Sequence, residues 1–261
     1  MTKVILIASG KGGVGKTTAA INLATSLVYF GHSTVIVDAD LNTANVGLYL
    51  GSAITPTNLH HVLQGQRNIE DAVYEHTSGI KIIPSAISYD SLRLSNHARL
   101  PDVIIELTGK VDYVIIDSPP GLDETFKSVS KACDEVLVVT TPDLASITDS
   151  LKTIKFCDEL GVNVAGVLIN KVRNEQYELS VENIQAMLEK PVAGIVSHDN
   201  SVLQSVNLKH PVTYSHPQTS ASIGYKKLAA QLLGQKYVES LEKNTKDTLL
   251  DYMLKMLGLK K

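Results

Sequence analysis

Nine consecutive residues near the N-terminus carry the most specific chemistry in this chain. They read Gly10-Lys11-Gly12-Gly13-Val14-Gly15-Lys16-Thr17-Thr18. Gly10 and Gly15 let the backbone curl so that several N–H groups converge on phosphate oxygens. The Lys16 ammonium then reaches the β and γ phosphates, and the Thr17 hydroxyl faces Mg²⁺. Lys11 is a second lysine that the motif does not require, and the loop as a whole predicts binding of a nucleoside triphosphate with Mg²⁺.

The segments on either side of the loop have the pattern that a phosphate-binding loop needs. Val4-Ile5-Leu6-Ile7-Ala8 is a short apolar run, which is typical of a buried strand. From Thr18 onward the pattern becomes helical, with Ile21, Ala24 and Leu27 on one face. The loop is therefore expected at a helix N-terminus, where backbone N–H groups and the helix dipole favour anions.

Apolar runs of strand length recur along the rest of the chain. They are Ser33–Asp38, Ile80–Pro84, Asp112–Asp117, Glu135–Thr140, Val162–Asn170 and Val192–Val196. Helical patterns fall between them, at Pro101–Thr108, Ala145–Leu160 and Val181–Leu188. Strands that are apolar at nearly every position are buried on both faces, as in a parallel sheet covered by helices. We therefore predict an α/β fold, a doubly wound and mostly parallel sheet with helices on both faces and right-handed crossovers.

The composition and charge of the chain narrow the class of protein. With 261 residues and 44% hydrophobic content, the chain is long enough to bury the core of one α/β domain. Its net charge of −3 argues against bulk nucleic-acid binding. Since no leader pattern precedes the first strand and no apolar run has transmembrane length, we expect a cytoplasmic protein.

The cysteines and the paired histidines give no sign of a metal site. Cys133 and Cys157 lie in unrelated segments without a Cys-x-x-Cys pair, so we expect reduced thiols in or near the core. His60 and His61 lie in a short helical pattern, and no third ligand is near them in sequence. We expect a solvated or capping role for these two histidines.

Three carboxylates follow strands at the edge of the predicted sheet where parallel α/β proteins bind their ligands. Asp38 and Asp40 follow the second strand, and Asp117 ends the run Val114–Ile116. With Thr17, we take Asp38 and Asp117 as candidate Mg²⁺ residues, because Mg²⁺ is held through few protein oxygens and keeps most of its water. Asp40 is placed to orient the attacking water or accept its proton. Taken alone, Asp38 is as consistent with a helix cap or a turn residue as with a metal-binding role.

Two segments after later strands are candidates for a base pocket. Asn170 ends a predicted strand, and its amide can pair with the amino group and N7 of adenine, which favours ATP over GTP. Without the phosphate-binding loop, an asparagine in a strand-to-loop turn would be the preferred interpretation. Asp199 and Val202 follow the last predicted strand and are candidates for the other side of the pocket.

The segment Lys11–Thr18 resembles the deviant Walker A motif of the ParA and MinD group of ATPases. The resemblance extends along nearly the whole chain: Asp38–Gly51 is similar to the first switch of MinD proteins, and Asp117–Gly121 to the second. It implies that two subunits sandwich two ATP molecules and that Lys11 of each subunit reaches the partner's phosphates. A positive charge supplied in trans to the transferring phosphoryl group would make hydrolysis wait for dimerisation.

The same resemblance assigns roles to four further residues. Asp40 matches the water-activating carboxylate, and Asn45 matches the switch residue near the γ-phosphate. Asp143 matches the acidic contact to the partner's ribose, and Asn170 matches the residue that recognises adenine. The resemblance therefore implies a slow, homodimeric ATP hydrolase with ATP and Mg²⁺ as ligands. It also implies a regulatory protein partner. The helix around Ser146–Lys155 is a candidate surface for that partner, and an ordinary solvated helix face is the simpler interpretation.

The C-terminal residues differ in pattern from the rest of the chain. We assign residues 1–242 to the ATPase domain and residues 243–261 to a linker and an amphipathic helix. On a helical wheel of Asp247–Leu259, one face is formed by Leu249, Leu250, Met253, Leu254, Met256 and Leu257. Lys260 and Lys261 suit anionic headgroups, so we predict reversible, peripheral binding to an anionic membrane surface. A final helix that packs on the domain's own core is the alternative.

The leading hypothesis is a membrane-cycling ATPase of the MinD type that positions cell division or another assembly. A nucleic-acid-binding partition ATPase would usually show Asp-Pro-Gln and a basic surface, whereas this chain has Asp40-Leu41-Asn42 and is slightly acidic. An iron–sulfur cluster carrier needs paired cysteines, and a flagellar-number regulator typically has an extension before the first strand. A nucleotide switch without hydrolysis conflicts with the presence of Lys11, Asp40 and Asp117.

Overall fold

The computed structural model describes residues 1–41, 43–86, 97–119 and 121–238. The predicted domain boundary after residue 242 and the predicted amphipathic helix over residues 247–259 lie outside the described residues and stay predictions. Within the described ranges, no helix has both the length and the apolar character needed to cross a lipid bilayer.

Within the residues that the structure describes, all eight strands belong to a single sheet. In chain order they are β1 (Lys3–Ala8), β2 (Thr34–Asp38), β3 (Tyr74–Glu75), β4 (Lys81–Ile83), β5 (Tyr113–Asp117), β6 (Glu135–Thr140), β7 (Val164–Val172) and β8 (Val192–Ser197). Across the sheet their order is β3-β4-β2-β5-β1-β6-β7-β8. Only β3 is antiparallel to its neighbour, so the predicted mostly parallel sheet is confirmed. The edge strand β3 was not predicted, because two residues are too few to show a strand pattern.

Helices cover both faces of this sheet. They are α1 (Lys16–Tyr29), α2 (Asn45–Leu50), α3 (Leu59–Leu63), α4 (Leu100–Ile105), α5 (Glu124–Ser130), α6 (Leu144–Glu159), α7 (Val181–Leu188), α8 (Ser201–Asn207), α9 (Val212–Ser215) and α10 (Ser220–Leu232). Residues of α3 to α7 pack into the core on one face of the sheet. Residues of α1, α2 and α8 to α10 pack into the core on the other face. The doubly wound arrangement is therefore confirmed.

The predicted element ends agree with the structure to different degrees. β6 and α7 begin and end where the sequence predicted. The helix predicted at Pro101–Thr108 instead ends at Ile105. Beyond it, the Thr108 N–H donates to the Ile105 carbonyl at 2.9 Å, three residues back instead of four, and Gly109 then turns the chain at a φ of 83°. Leu107 in this tight last turn is buried in the core, so the apolar pattern continues past the end of the helix and periodicity alone overextends it.

The central strand β1 shows how the sheet positions the loop that follows it. Ile5 and Ile7 face one core, whereas Val4, Leu6 and Ala8 face the other. All of these side chains except Val4 are fully buried. β1 lies between β5 and β6 and ends directly at the glycine-rich loop. On β2 and β5, the parallel register pairs Asp38 with Asp117. The carboxyl ends of these strands therefore bring the loop and two aspartates to one edge of the sheet.

Candidate functional site

The glycine-rich loop has two positions where only glycine fits. Gly15 caps the N-terminus of α1 at a φ of 94°, and a Cβ atom there would lie 2.4 Å from Nδ2 of Asn170. A Cβ atom on Gly10 would lie 2.1 Å from the backbone carbonyl oxygen of Asp149 in α6. At Gly10 the obstacle is backbone, so a larger residue would displace the loop, and at Gly15 the left-handed φ makes any larger residue strained. The loop is thereby wedged between α6 and the end of β7.

The inner end of the loop is tied to β5 by buried polar contacts. The Lys16 ammonium lies 3.2 Å from Oδ1 of Asp117 and also donates to the Ser118 carbonyl. The Thr17 hydroxyl donates to the other carboxylate oxygen of Asp117 at 2.6 Å. Side-chain exposure is 10% for Lys16 and 0% for Asp117, so this ion pair is desolvated. Burial raises the pKa of Asp117, and the Lys16 charge opposes that rise.

Asp38 is a buried carboxylate with an unused oxygen. Its Oδ2 accepts the Val46 N–H at 3.1 Å, whereas its Oδ1 has no hydrogen-bond partner among the described residues. Burial, followed by the neighbouring charge of Asp117, raises the pKa of Asp38 to about 8. Carboxylate and hydroxyl oxygens from Asp38, Asp117 and Thr17 form the oxygen-rich donor set that Mg²⁺ prefers. A bound cation would satisfy the unused oxygen and favour the ionised form of Asp38, so this donor set fits a Mg²⁺ ion.

Asp40 lies at the start of the first predicted switch segment. Its side chain accepts hydrogen bonds from the Thr43 hydroxyl and, at 3.2 Å, from the amide Nδ2 of Asn45. The same Asn45 amide lies 2.8 Å from the Thr43 hydroxyl. Asp40 is 2% exposed, and its Oδ1 has no partner among the described residues. The predicted water-activating carboxylate and the predicted γ-phosphate residue are therefore in direct contact.

Lys11 and Asp143 meet at the outer rim of the loop. The Lys11 ammonium lies 3.5 Å from Oδ1 of Asp143 and 3.4 Å from the Ser146 hydroxyl. Asp143 caps α6, because its Oδ1 accepts the Ser146 N–H at 3.0 Å. Burial alone would raise the pKa of Asp143, but hydrogen bonds from Thr141 and Ser146 hold it below its usual range. In a single chain, the residue predicted to contact a partner's ribose therefore binds the lysine predicted to reach a partner's phosphates.

The glycine-rich loop and the side chains of Asp40 and Asn45 border a cavity of about 620 Å³. The predicted site residues that line it are Lys11, Gly12, Gly13, Gly15, Lys16, Thr17, Thr18, Asp40 and Asn45. Seven further lining residues were not among the predicted site residues: Ser9, Thr43, Leu48, Tyr49, Lys171, Val206 and Lys209. Lys171 donates to the Gly13 carbonyl at 2.7 Å, and its position next to Asn170 is the one signal from which it could have been found. Lys209 is distant in sequence and carries no such signal.

A second cavity, of about 250 Å³, lies beside Thr18 and Asn170. Asn170 donates from Nδ2 to the Val14 carbonyl at 2.8 Å, so its amide is oriented by the loop itself. Asp199 and Val202 line this cavity as predicted. The Asp199 carboxylate, however, accepts the Ser201 N–H at 2.9 Å and the Ala221 N–H at 3.2 Å. Asp199 therefore serves mainly to hold α8 and α10 at the pocket wall.

Other predicted features lie away from the two cavities or differ from expectation. His61 caps α3 through Asn58, as predicted, but His60 is 1% exposed, so the expected solvated position is wrong for that residue. Cys133 and Cys157 are free thiols in or near the core, and burial raises their pKa values to about 12 and about 11. In the candidate partner surface Ser146–Lys155, five residues are buried, so only its outer face is accessible: the buried residues are Ser146, Ile147, Ser150, Thr153 and Ile154.

Comparison with known proteins agrees with this geometry. A family profile described as an AAA domain matches residues 2–164, and one described as a NUBPL iron-transfer P-loop NTPase matches residues 98–233. A putative septum site-determining protein MinD of Oltmannsiellopsis viridis is 32% identical over 89% of this chain and 76% of its own length. This chain belongs to the ParA/MinD family of P-loop ATPases. An uncharacterised ATP-binding protein of Methanocaldococcus jannaschii is 36% identical, covering 99% of this chain and 98% of that protein.

The fold of this ParA/MinD family member also matches solved structures. The septum site-determining protein MinD of Pyrococcus horikoshii, complexed with Mg-ADP, is 30% identical with a TM-score of 0.85. The match covers 89% of this chain and 96% of that one. A ParA family ATPase of Chlorobium tepidum, at 20% identity and a TM-score of 0.80, shares the fold. The predicted family and fold are therefore confirmed, while the roles of single site residues stay predictions.

Proposed function

We propose that this protein binds and hydrolyses ATP with Mg²⁺, dimerises in the ATP state and cycles on a membrane surface to position cell division or another assembly. Family membership supports the ATPase part of the proposal. The names of relatives, septum site-determining protein MinD and cell division ATPase MinD, support the positioning part. The amphipathic pattern of Asp247–Leu259 supports the membrane part.

The contrast between the two loop lysines carries the proposal. Lys16 is desolvated against Asp117, and breaking a buried pair of this kind costs about 3–5 kcal/mol. The Lys11–Asp143 pair has side-chain exposures of 43% and 50%, and exposed pairs contribute only about 0–1 kcal/mol. Lys11 can therefore leave Asp143 at little cost. A lysine that is held loosely at the rim of its own site is suited to a phosphate on a second subunit.

The residues of the first switch supply the proposed chemistry. Asp40 orients the attacking water, and the Asn45 amide, which donates a hydrogen bond to Asp40, responds to the γ-phosphate. Mg²⁺, when bound, neutralises charge on the β and γ oxygens. Lys11 of the partner subunit then adds positive charge to the transferring phosphoryl group, where electrostatic stabilisation contributes most to the rate. Hydrolysis therefore requires the dimer.

Nucleotide state is proposed to control location through the C-terminal segment. A single weak anchor binds a membrane marginally and reversibly. Two anchors held in one ATP dimer act at a high effective concentration, so avidity can exceed the affinity of one anchor by about 10²-fold or more. Hydrolysis separates the subunits and releases them from the surface.

Sedimentation with vesicles tests this proposal. The full chain is mixed with anionic or neutral vesicles, or with duplex DNA, in ATP or ADP with Mg²⁺. We expect co-sedimentation only with anionic vesicles and ATP. Leu250→Glu combined with Leu254→Glu, or deletion of residues 245–261, should abolish it while ATP affinity stays unchanged. Lys255→Glu alters the net charge by the same two units without entering the apolar face, so it should retain most of the binding.

Two results would contradict the proposal in different ways. If the truncated chain loses ATP binding or unfolds, the C-terminal segment is part of the domain core and the membrane role fails. If the full chain sediments with DNA and not with vesicles, the partition ATPase alternative is correct.

A further inference from the structure

The described chain ends at an aromatic cluster on the surface of the domain. The Tyr237 ring lies 6.4 Å from the Phe30 ring, which in turn lies 5.2 Å from the Tyr29 ring, both in edge-to-face geometry. The Lys226 ammonium lies 4.6 Å from the centre of the Tyr29 ring. We name Tyr29, Phe30, Lys226 and Tyr237 the tail-root cluster, because the C-terminal segment continues from it. Contacts of this kind fix the point from which that segment leaves the domain.

The tail-root cluster lies far from the nucleotide cavity. Helix α1 begins at the phosphate-binding loop and has 14 residues, so its two ends are about 21 Å apart. The cluster is at the end of this helix, where Tyr29 is the last helical residue. The position is remote from Lys11 and Asp143, so a surface contact here would leave the nucleotide edge and a dimer partner accessible.

The chemistry of the cluster is that of a membrane interface. Tyr29 is 56% exposed although its ring is already packed on Phe30. Val238, which follows Tyr237 in the chain, is 80% exposed. Lys236 is also exposed beside them. Lys226 is 4% exposed and donates to the Pro217 carbonyl at 3.0 Å, so it orients the Tyr29 ring, and Lys236 is the lysine that can reach lipid. An exposed tyrosine ring beside an exposed lysine is typical of the headgroup region, where the ring enters the apolar boundary and the cation meets anionic lipid.

We propose that the tail-root cluster is a second membrane contact, through which the folded domain itself lies on anionic lipid beside its C-terminal anchor. This inference rests on the proposed membrane function. Only eight residues, 239–246, separate Val238 from the predicted helix, and they span at most about 29 Å when fully extended. When residues 247–259 bind a bilayer, Tyr29 is thus confined near the same surface. The second contact then forms at a high effective concentration.

The absence of tryptophan from the sequence permits a direct test. Tyr29→Trp and, separately, Val238→Trp each place a single fluorophore at the tail-root cluster. With ATP, Mg²⁺ and anionic vesicles, we expect a blue shift of emission and quenching by lipids with brominated acyl chains. Tyr177→Trp is the matched control, because Tyr177 is 80% exposed on the loop after β7, at the nucleotide edge. At constant ATP and Mg²⁺, its emission should not change when anionic vesicles are added.

A binding measurement complements the fluorescence. Tyr29→Ser should weaken vesicle binding about fivefold, because the variant no longer transfers the exposed half of the tyrosine ring from water to lipid. Tyr177→Ser should not weaken vesicle binding. If the proteins sediment with vesicles but neither tryptophan at the cluster shifts, the second contact does not exist and the C-terminal anchor alone binds. If the unmodified chain does not sediment with vesicles at all, the proposed membrane function fails, and this inference fails with it.

Discussion

Lys16 and Lys11 belong to one loop but lie in opposite environments. Lys16 is buried against Asp117, beside the high-pKa carboxyl of Asp38, whereas Lys11 lies at the rim against Asp143, whose pKa is held low. The inner region holds two buried carboxyls, Asp38 and Asp117, but one lysine, so a cation bound there would favour the ionised form of Asp38. The outer region is already neutral and solvated, so it can exchange partners at little cost. In the proposed function, nucleotide binding and communication between subunits therefore belong to different ends of the same motif.

The largest expected effect comes from the inner lysine. Lys16→Ala should weaken ATP binding about 100-fold or more, since it removes a charge-assisted contact to the phosphates and leaves Asp117 without its cation. Turnover should fall with it. Titration with a fluorescent ATP analogue measures the affinity, and thermal unfolding checks that the variant remains folded. Near-normal affinity would show that the inner region does not depend on this lysine.

The outer lysine should separate binding from turnover. Lys11→Ala should keep ATP affinity within about threefold, because the Lys11–Asp143 pair is exposed. Turnover should fall about 10³-fold, as when a charge supplied in trans to a phosphoryl group is removed. Phosphate release at saturating ATP measures this effect, and ADP affinity serves as the control. Normal hydrolysis by the variant would mean that the two lysines do not divide their roles.

The inner region could be predicted from sequence more fully than the outer one. Spacing alone located Lys16, Thr17 and the buried strand before them, because local backbone geometry dictates those residue types. Asp38 and Asp117 followed from the rule that parallel strands end at one edge, and their register pairing agrees. No local pattern reveals that Gly10 packs against the Asp149 backbone or that Lys209 lines the cavity, since both contacts depend on tertiary packing.

At Asp143 and His60, the contacts within the chain could not be predicted from the residue types. The predicted contact of Asp143 to a partner stays a prediction, and the structure adds a helix cap and an ion pair with Lys11. His60 lies in a polar-looking pair, yet only His61 faces the helix cap while His60 is buried. In a helix of five residues, too few positions are available for a periodic pattern to separate the two faces.

An intermediate effect is expected at the boundary between the two regions. Asp40→Ala should slow turnover about 100-fold, since it removes the group that orients water, while the phosphate-binding loop remains intact. ATP should then hold the variant as a dimer, which light scattering after size exclusion measures. Asp112→Ala, on an exposed carboxylate at the opposite end of β5, is the control for loss of an aspartate. An Asp40→Ala protein that stays monomeric in ATP would contradict dimer-dependent hydrolysis.

Without ligand, the carboxyls of Asp38 and Asp143 should give the folding stability different pH dependences. The pKa of Asp38 is raised from 3.8 to about 8, so the group is neutral in both states at low pH. As the pH rises through this range, the unfolded chain loses the Asp38 proton before the folded chain does, and stability falls. Asp38→Asn should therefore match the wild-type Tm near about pH 4 and exceed it increasingly up to about pH 8.

Asp143→Asn provides the matched comparison for that profile. Because the pKa of Asp143 is lowered, its ionised form stabilises the fold above its ordinary pKa, and this contribution is lost only as the pH falls below that value. Between about pH 5 and pH 8, its Tm difference from wild type should therefore stay constant. Thermal unfolding with chelator and without nucleotide measures both profiles. Parallel Tm profiles for the two variants would mean that burial does not destabilise the ionised carboxylate of Asp38 more than that of Asp143. Only a carboxyl that is buried without a neutralising partner gives the widening Tm difference expected for Asp38→Asn.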